Sequence, residues 1–96
     1  MLETKITEAI HKYLDSVDAW YFKVWGNAFQ MSGVPDTVGC YRGRFVALET
    51  KTAEGRLRGN QKKRIRDIRK AGGVAEVVRS VEDVQTILDK LDKCIL

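Results

Sequence analysis

Asp36, Glu49 and Lys51 are the residues whose types and spacing best suit chemistry. Asp36 precedes the run Thr37-Val38-Gly39-Cys40-Tyr41, and Glu49 closes the run Arg44-Phe45-Val46-Ala47-Leu48-Glu49. Both runs are β-branched, aromatic and apolar, and the Arg42-Gly43 pair between them is a hairpin signal. With Tyr41 opposite Arg44, counting back along both strands sets Asp36 across from Glu49. Opposed residues hold their Cβ atoms roughly 4.5–5.5 Å apart on one face of a sheet. Lys51, two residues beyond Glu49, points to that same face. Two carboxylates and an ammonium therefore converge at one strand end. Adjacent carboxylates repel, so one takes up a proton unless a cation keeps both ionised. Lys51 supplies one positive charge, and hard divalent metals such as Mg²⁺ are the usual occupants of clustered oxygen ligands. Glu-x-Lys alone also suits the solvent face of an edge strand; Pro35-Asp36 at hairpin register is what weighs against that alternative.

These residues need elements to position them. Leu2 to Val17 reads as a helix, with Ile6, Ile10, Tyr13, Leu14 and Val17 on one apolar arc. At about 100° per residue, Glu3 falls between Ile10 and Leu14 on the inward arc, whereas Glu8 faces water. Glu3 is thus the candidate to join the acidic pair, the alternative being a first-turn Glu favoured by the helix dipole. His11 lies off the arc and is expected at the surface. Trp20 to Trp25 alternates aromatic and polar residues and predicts the first strand, with Gly26 to Ser32 as a loop. Trp25, Phe29 and Met31 are expected to pack, and Asn27 and Gln30 could line a binding groove. Pro35 fixes its own φ and biases Val34 toward extended geometry, aiming Asp36 at the sheet end.

Beyond Lys51, Thr52 to Gly55 is a flexible connection, and Gly59 and Asn60 signal a helix from about Asn60 to Ala71. Gln61, Ile65 and Ile68 share one arc of it. A buried glutamine must find partners, since an unsatisfied amide costs roughly 1–3 kcal/mol; a first-turn Gln reaching water is the alternative. Lys62, Arg66 and Arg69 form a basic row suited to tracking phosphates. Lys63 and Lys70 flank it, and Arg56 and Arg58 lie in the approach loop. Gly72-Gly73 stops the helix. Val74 to Val78 predicts another strand, and Ser80-Val81-Glu82-Asp83 resembles a capping box. Val84, Ile87, Leu88 and Leu91 give a last helix. The expected organisation is one domain over residues 1–92, with 93–96 as a C-terminal tail.

Eight of the seventeen basic residues and one of the thirteen acids lie between Arg56 and Lys70, a net +7 that leaves −3 on the remainder. Charge so concentrated suggests a polyanion meeting one face, although a solvated helix with no ligand would also carry it. A chain of 96 residues buries only somewhat more than ~60% of its unfolded surface, so association is plausible. No apolar run approaches the ~20 residues of a membrane span, and no signal-peptide pattern opens the chain. Cys40 and Cys94 lack a partner motif. Cys40 in a strand suggests a buried, reduced thiol, and the expectation is a cytoplasmic protein, in a host cytoplasm if viral.

At Ser32-Gly33-Val34-Pro35-Asp36, Gly43-Arg44-Phe45-Val46-Ala47-Leu48-Glu49-Thr50-Lys51, Asn60-Gln61-Lys62 and Ala71-Gly72-Gly73-Val74-Ala75, the sequence resembles the PD-(D/E)xK nuclease superfamily. Within it, the resemblance is to the VRR-NUC family of virus-type replication and repair nucleases. Together with Glu3 and its helix it covers about Glu3 to Leu88. Thr7 stands where the family commonly has Gln. The resemblance implies an α/β, restriction-endonuclease-like mixed sheet flanked by helices, in the order αβββαβα. It implies Mg²⁺ (or Mn²⁺) on Asp36, Glu49 and the Thr50 carbonyl, with Glu3 reaching the metal through water or holding a second ion. Lys51 would act on the attacking water, and Gln61 would support Lys51 and the phosphate. The implied activity is hydrolysis of DNA, branched DNA such as four-way junctions in particular, by a homodimer with Val- and Leu-rich segments near the last helix as candidate contacts. The competing class is a non-catalytic DNA-binding module that keeps the fold.

Overall fold

The computed structural model describes residues 2–25 and 31–94. Its elements follow the predicted order: α1 (Glu3–Ser16), β1 (Trp20–Lys23), β2 (Thr37–Tyr41), β3 (Arg44–Thr50), α2 (Gly59–Lys70), β4 (Val74–Val78) and α3 (Val81–Cys94). The four strands lie in the order β1-β2-β3-β4. The β1/β2 and β2/β3 pairs are antiparallel and β3/β4 is parallel, so α2 is the crossover that a parallel pair requires. The β2/β3 register is the one counted from the turn, from Tyr41↔Arg44 to Thr37↔Leu48. Arg42 (φ 49°) and Gly43 (φ 81°) are both left-handed. Two positive φ values in a two-residue loop match the twist of the flanking strands.

Alternation along β3 divides the molecule. Val46, Leu48 and Thr50 face α1 and α3, and there the main core forms with Ile6, Ile10, Leu14, Val78, Val84 and Leu88. Ala47 faces α2, where it meets Ile65 and Ala75 in a smaller cluster. Paired alanines, Ala47↔Ala75, let the helix lie close to the strands. Ser80 Oγ accepts the Asp83 N–H at 3.2 Å, and Asp83 accepts the Arg79 N–H at 2.8 Å. The expected cap of α3 is therefore present but reaches back one residue further.

Several local expectations are corrected. β1 ends at Lys23, although the Val24 N–H still donates to the Asp36 carbonyl at 2.8 Å. Trp25 and Met31 are exposed rather than packed. Asn27, Phe29 and Gln30 lie outside the described residues. Cys40 is an exposed free thiol, because α2 covers β3 and β4 and, among the described residues, leaves β1 and β2 open on its side. His11 is half-buried: its Nε2 lies 2.9 Å from Thr37 Oγ1 and its ring packs on Tyr21. Lys93 and Cys94 continue α3 instead of forming a tail. Among the described residues no helix is long and apolar enough to cross a membrane.

Candidate metal centre

The site is built at the end of β3 nearest α2. Glu49 is the penultimate residue of β3 and is 5% exposed. Asp36 stands just before β2, one step beyond the last paired residues Thr37 and Leu48, which places it across from Glu49. Buried Pro35 fixes its approach. The Asp36 carboxylate accepts the Thr50 N–H through long contacts of 3.3 and 3.4 Å. Glu3, in the first turn of α1, brings its carboxylate to the same place. One oxygen from each of Glu3, Asp36 and Glu49 lies within 4.8 Å of the other two. Glu8, by contrast, pairs with Lys5 on the surface. The helical-face argument thus selected the glutamate that the fold brings in.

Lys51 Nζ lies 3.9 Å from Glu49 Oε2 and is mostly buried. Gln61 comes from the first turn of α2: its Nε2 reaches the same Glu49 oxygen at 3.5 Å, while its Oε1 accepts the Arg58 N–H at 2.9 Å. That second bond fixes which end of the amide faces the carboxylate. The segment before Asp36 is held to α2 in turn. Gly33 sits so tightly on the helix start that a Cβ would fall 2.3 Å from the Asn60 carbonyl oxygen, and its φ is +81°. Arg64 Nε donates to the Ser32 carbonyl at 3.0 Å. Asp36 and Gln61 are therefore positioned by one common contact.

Electrostatics follow from this crowding. Burial pushes Glu49 up to about 7; the Asp36 charge adds to the rise, and Lys51 opposes it. Asp36 is also raised by burial, against the pull of the Thr50 N–H and of Lys23. Three carboxylates gathered in this way form a hard-oxygen donor set, which fits a hard divalent cation better than a soft metal. A cleft of about 650 Å³ lies to one side, between α1 and the turns around Ala53 and Ser80. None of Asp36, Glu49, Lys51 or Gln61 lines it, so chemistry and not volume locates the site.

Among the described residues, Arg56, Arg58, Lys62, Lys63, Arg66 and Lys70 are exposed and make no ion pair. Arg69 departs from the expected basic row. Its Nε donates to the Ala75 carbonyl at 2.9 Å and its Nη2 to both Glu76 oxygens at 2.9 and 3.0 Å. Three residues escaped sequence reasoning. Arg64, counted only as charge, anchors the loop before Asp36. Lys23 acts on Asp36 from β1. Arg79 donates to the carbonyls of Thr52 and Gly55 and so closes the turn after Lys51. The Arg64–Asp67 spacing was a readable i,i+3 pair; no sequence signal marks the other two.

Two solved structures share this architecture. A chain described as a VRR_NUC domain superposes with a TM-score of 0.76 at 20% identity, over 91% of this chain and 94% of its own. A VRR_NUC domain protein gives 0.76 at 17% identity, over 93% and 86%. The fold is that of a VRR_NUC domain. No family model and no curated protein matches the chain. The VRR_NUC likeness thus lies in the backbone path, at 17–20% sequence identity.

Proposed function

We propose that the chain is a metal-dependent DNA endonuclease that hydrolyses phosphodiester bonds, acting as a homodimer on branched DNA such as four-way junctions. One observation carries this reading: Glu3, Asp36 and Glu49 meet within 4.8 Å, with Lys51 beside them, on a VRR_NUC fold. Asp36 and Glu49 would hold Mg²⁺ or Mn²⁺ together with the Thr50 carbonyl, and Glu3 would reach the ion through water or hold a second one. The bound ion would acidify a water and stabilise charge on the scissile phosphate.

The chain's own residues do the rest. Lys51, on the carboxylate face, orients or deprotonates the attacking water and offsets negative charge as it develops. Gln61, its amide fixed by the Arg58 N–H, holds Glu49 and Lys51 in register and offers its remaining donor capacity to the phosphate. Arg56, Arg58, Lys62, Lys63, Arg66 and Lys70 supply affinity without sequence preference, because phosphate contacts carry no base information. The choice of branched DNA rests on likeness of fold alone, and symmetric cutting of a junction calls for two sites related by a two-fold axis.

Four-way junction, flap and linear duplex substrates, each incubated with Mg²⁺ and then with EDTA, test the proposal. Cleavage of a branched substrate that EDTA abolishes is the expected result. Binding of every substrate with no cut at high protein concentration would leave a DNA-binding module instead.

A further inference from the structure

The sheet is closed on one side and half-open on the other. Among the described residues no helix covers β1 and β2 on the α2 side. There Trp20, Cys40 and Phe45 form one row across three strands, and Phe22 and Val38 start the next. Trp20 is 67% exposed, Phe22 50% and Phe45 46%. Beside this row, between the hairpin and α2, runs a groove of about 530 Å³ whose apolar walls include Met31, Val34, Phe45 and Ile68. One face therefore carries both protruding aromatics and an apolar hollow.

Charge indicates what fits there. The flank of α2 that borders the groove presents Arg64 and Asp67, and these are paired at 2.8 Å. Lys62, Lys63, Arg66 and Lys70, which make no ion pair among the described residues, do not line it. In the most basic stretch of the chain, the side turned to the apolar face is the neutral one, which suits an uncharged partner surface and not a phosphate track. Area points the same way. At 150–250 Å² per large side chain, the exposed parts of Trp20, Phe22, Phe45 and Met31 amount to roughly 500 Å². That is more than half of the ~800 Å² a stable interface takes from each partner. Val84, Leu88 and Leu91 of α3 are buried in the subunit's own core and offer little to a partner.

We propose that this open face is where a second copy of the chain docks about a two-fold axis, Trp20 and Phe22 of each copy seating in the groove of the other. An isologous contact needs knob and hollow on one patch, and this patch has both. The proposal rests on the homodimer reading above and adds the surface to it. Asp36 and Glu49 lie on the same side of the sheet, so docking gathers both acidic clusters on one composite surface.

Sedimentation at micromolar concentrations tests it, alongside the far-UV circular dichroism of Trp20→Glu and Phe45→Glu. The wild type is expected at twice the 10.9 kDa of the chain, with both variants folded and at the single mass. Variants that stay dimeric would overturn the face while leaving a homodimer standing. A wild type that is monomeric throughout would overturn both, and tight binding of an oligothymidylate by that monomer would make the aromatics a base-stacking platform. A second measurement needs no variant. Cys40 should react with a bulky maleimide more slowly as protein concentration rises, while exposed Cys94 keeps its rate; a Cys40 rate independent of concentration would also overturn the face.

Discussion

The two faces of the sheet are built from the same strands and differ in what they leave unfinished. Toward α1 and α3, Leu48, Val78, Val84, Leu88 and Ile10 are at most 1% exposed, and the side is an ordinary apolar core. Toward α2, the same strands present Glu49 and Asp36, with Lys51 just beyond, at one end and exposed aromatics at the other. β3 serves both, its even residues for stability and its odd residues for the site. A one-residue slip would exchange the two sets, so the Arg42-Gly43 turn that fixes register also decides whether a site exists.

That contrast can be broken first at adjacent positions of β3. Leu48→Ala should cost 2–5 kcal/mol of folding stability, the usual range for a fully buried Leu. Phe45→Ala, on the open face, should cost under about 1 kcal/mol of subunit stability. Denaturant unfolding at low protein concentration measures both; equal losses would mean that the α2 side is as closed as the other.

Next in size is Lys51→Ala, which should lower cleavage about 10²–10³-fold, the scale of removing one preorganised donor. DNA affinity should change little. Single-turnover cleavage and equilibrium binding separate the two, and a matching fall in affinity would make Lys51 a binding residue.

Glu49→Gln sharpens the contrast through pH. The Glu49 carboxyl lies near 7 in the fold against an ordinary 4.5, so without metal the native state binds more protons than the unfolded chain between those values. Stability contributed by the protonated form is complete below about pH 4.5 and is lost as pH rises through 7. Solvent and neighbouring charges screen part of it, so the full difference is on the order of 1–3 kcal/mol. In EDTA at pH 8, Glu49→Gln should therefore be more stable than wild type, and at pH 4 about equal to it, while cutting nothing. Thermal unfolding at the two pH values checks this, and a variant less stable than wild type at pH 8 would contradict it.

The smallest expected effect distinguishes two cations of α2. Lys62→Ala should reduce the salt dependence of DNA binding by about one unit of log–log slope. Arg69→Ala should leave that slope unchanged and cost up to about 1 kcal/mol of stability through its exposed pair with Glu76. Binding measured across a salt series decides between them.

The placement of the candidate site's carboxylates was legible because it depends on counting. Register from a two-residue turn located Asp36 and Glu49, and helical angle chose Glu3 over Glu8. Side-chain partners across the fold were not legible. Arg69 sits on the expected row but is taken by Glu76 of β4, a contact that no local spacing reveals. Cys40 has strand neighbours that suggest burial, yet whether a strand face is covered depends on where α2 lands. His11 lies off the apolar arc of α1, but the edge strand β1 wraps Tyr21 against it. Periodicity along one element cannot show what arrives from another.

Carbon-13 titration of the Glu49 side-chain carboxyl, assigned by its absence in Glu49→Gln, tests the central claim most directly. Burial of Glu49, with the charges of Asp36 and Glu3 beside it, predicts a midpoint of about 7 without metal, falling well below that when Mg²⁺ is added. A midpoint near the ordinary 4.5, unmoved by Mg²⁺, would contradict it.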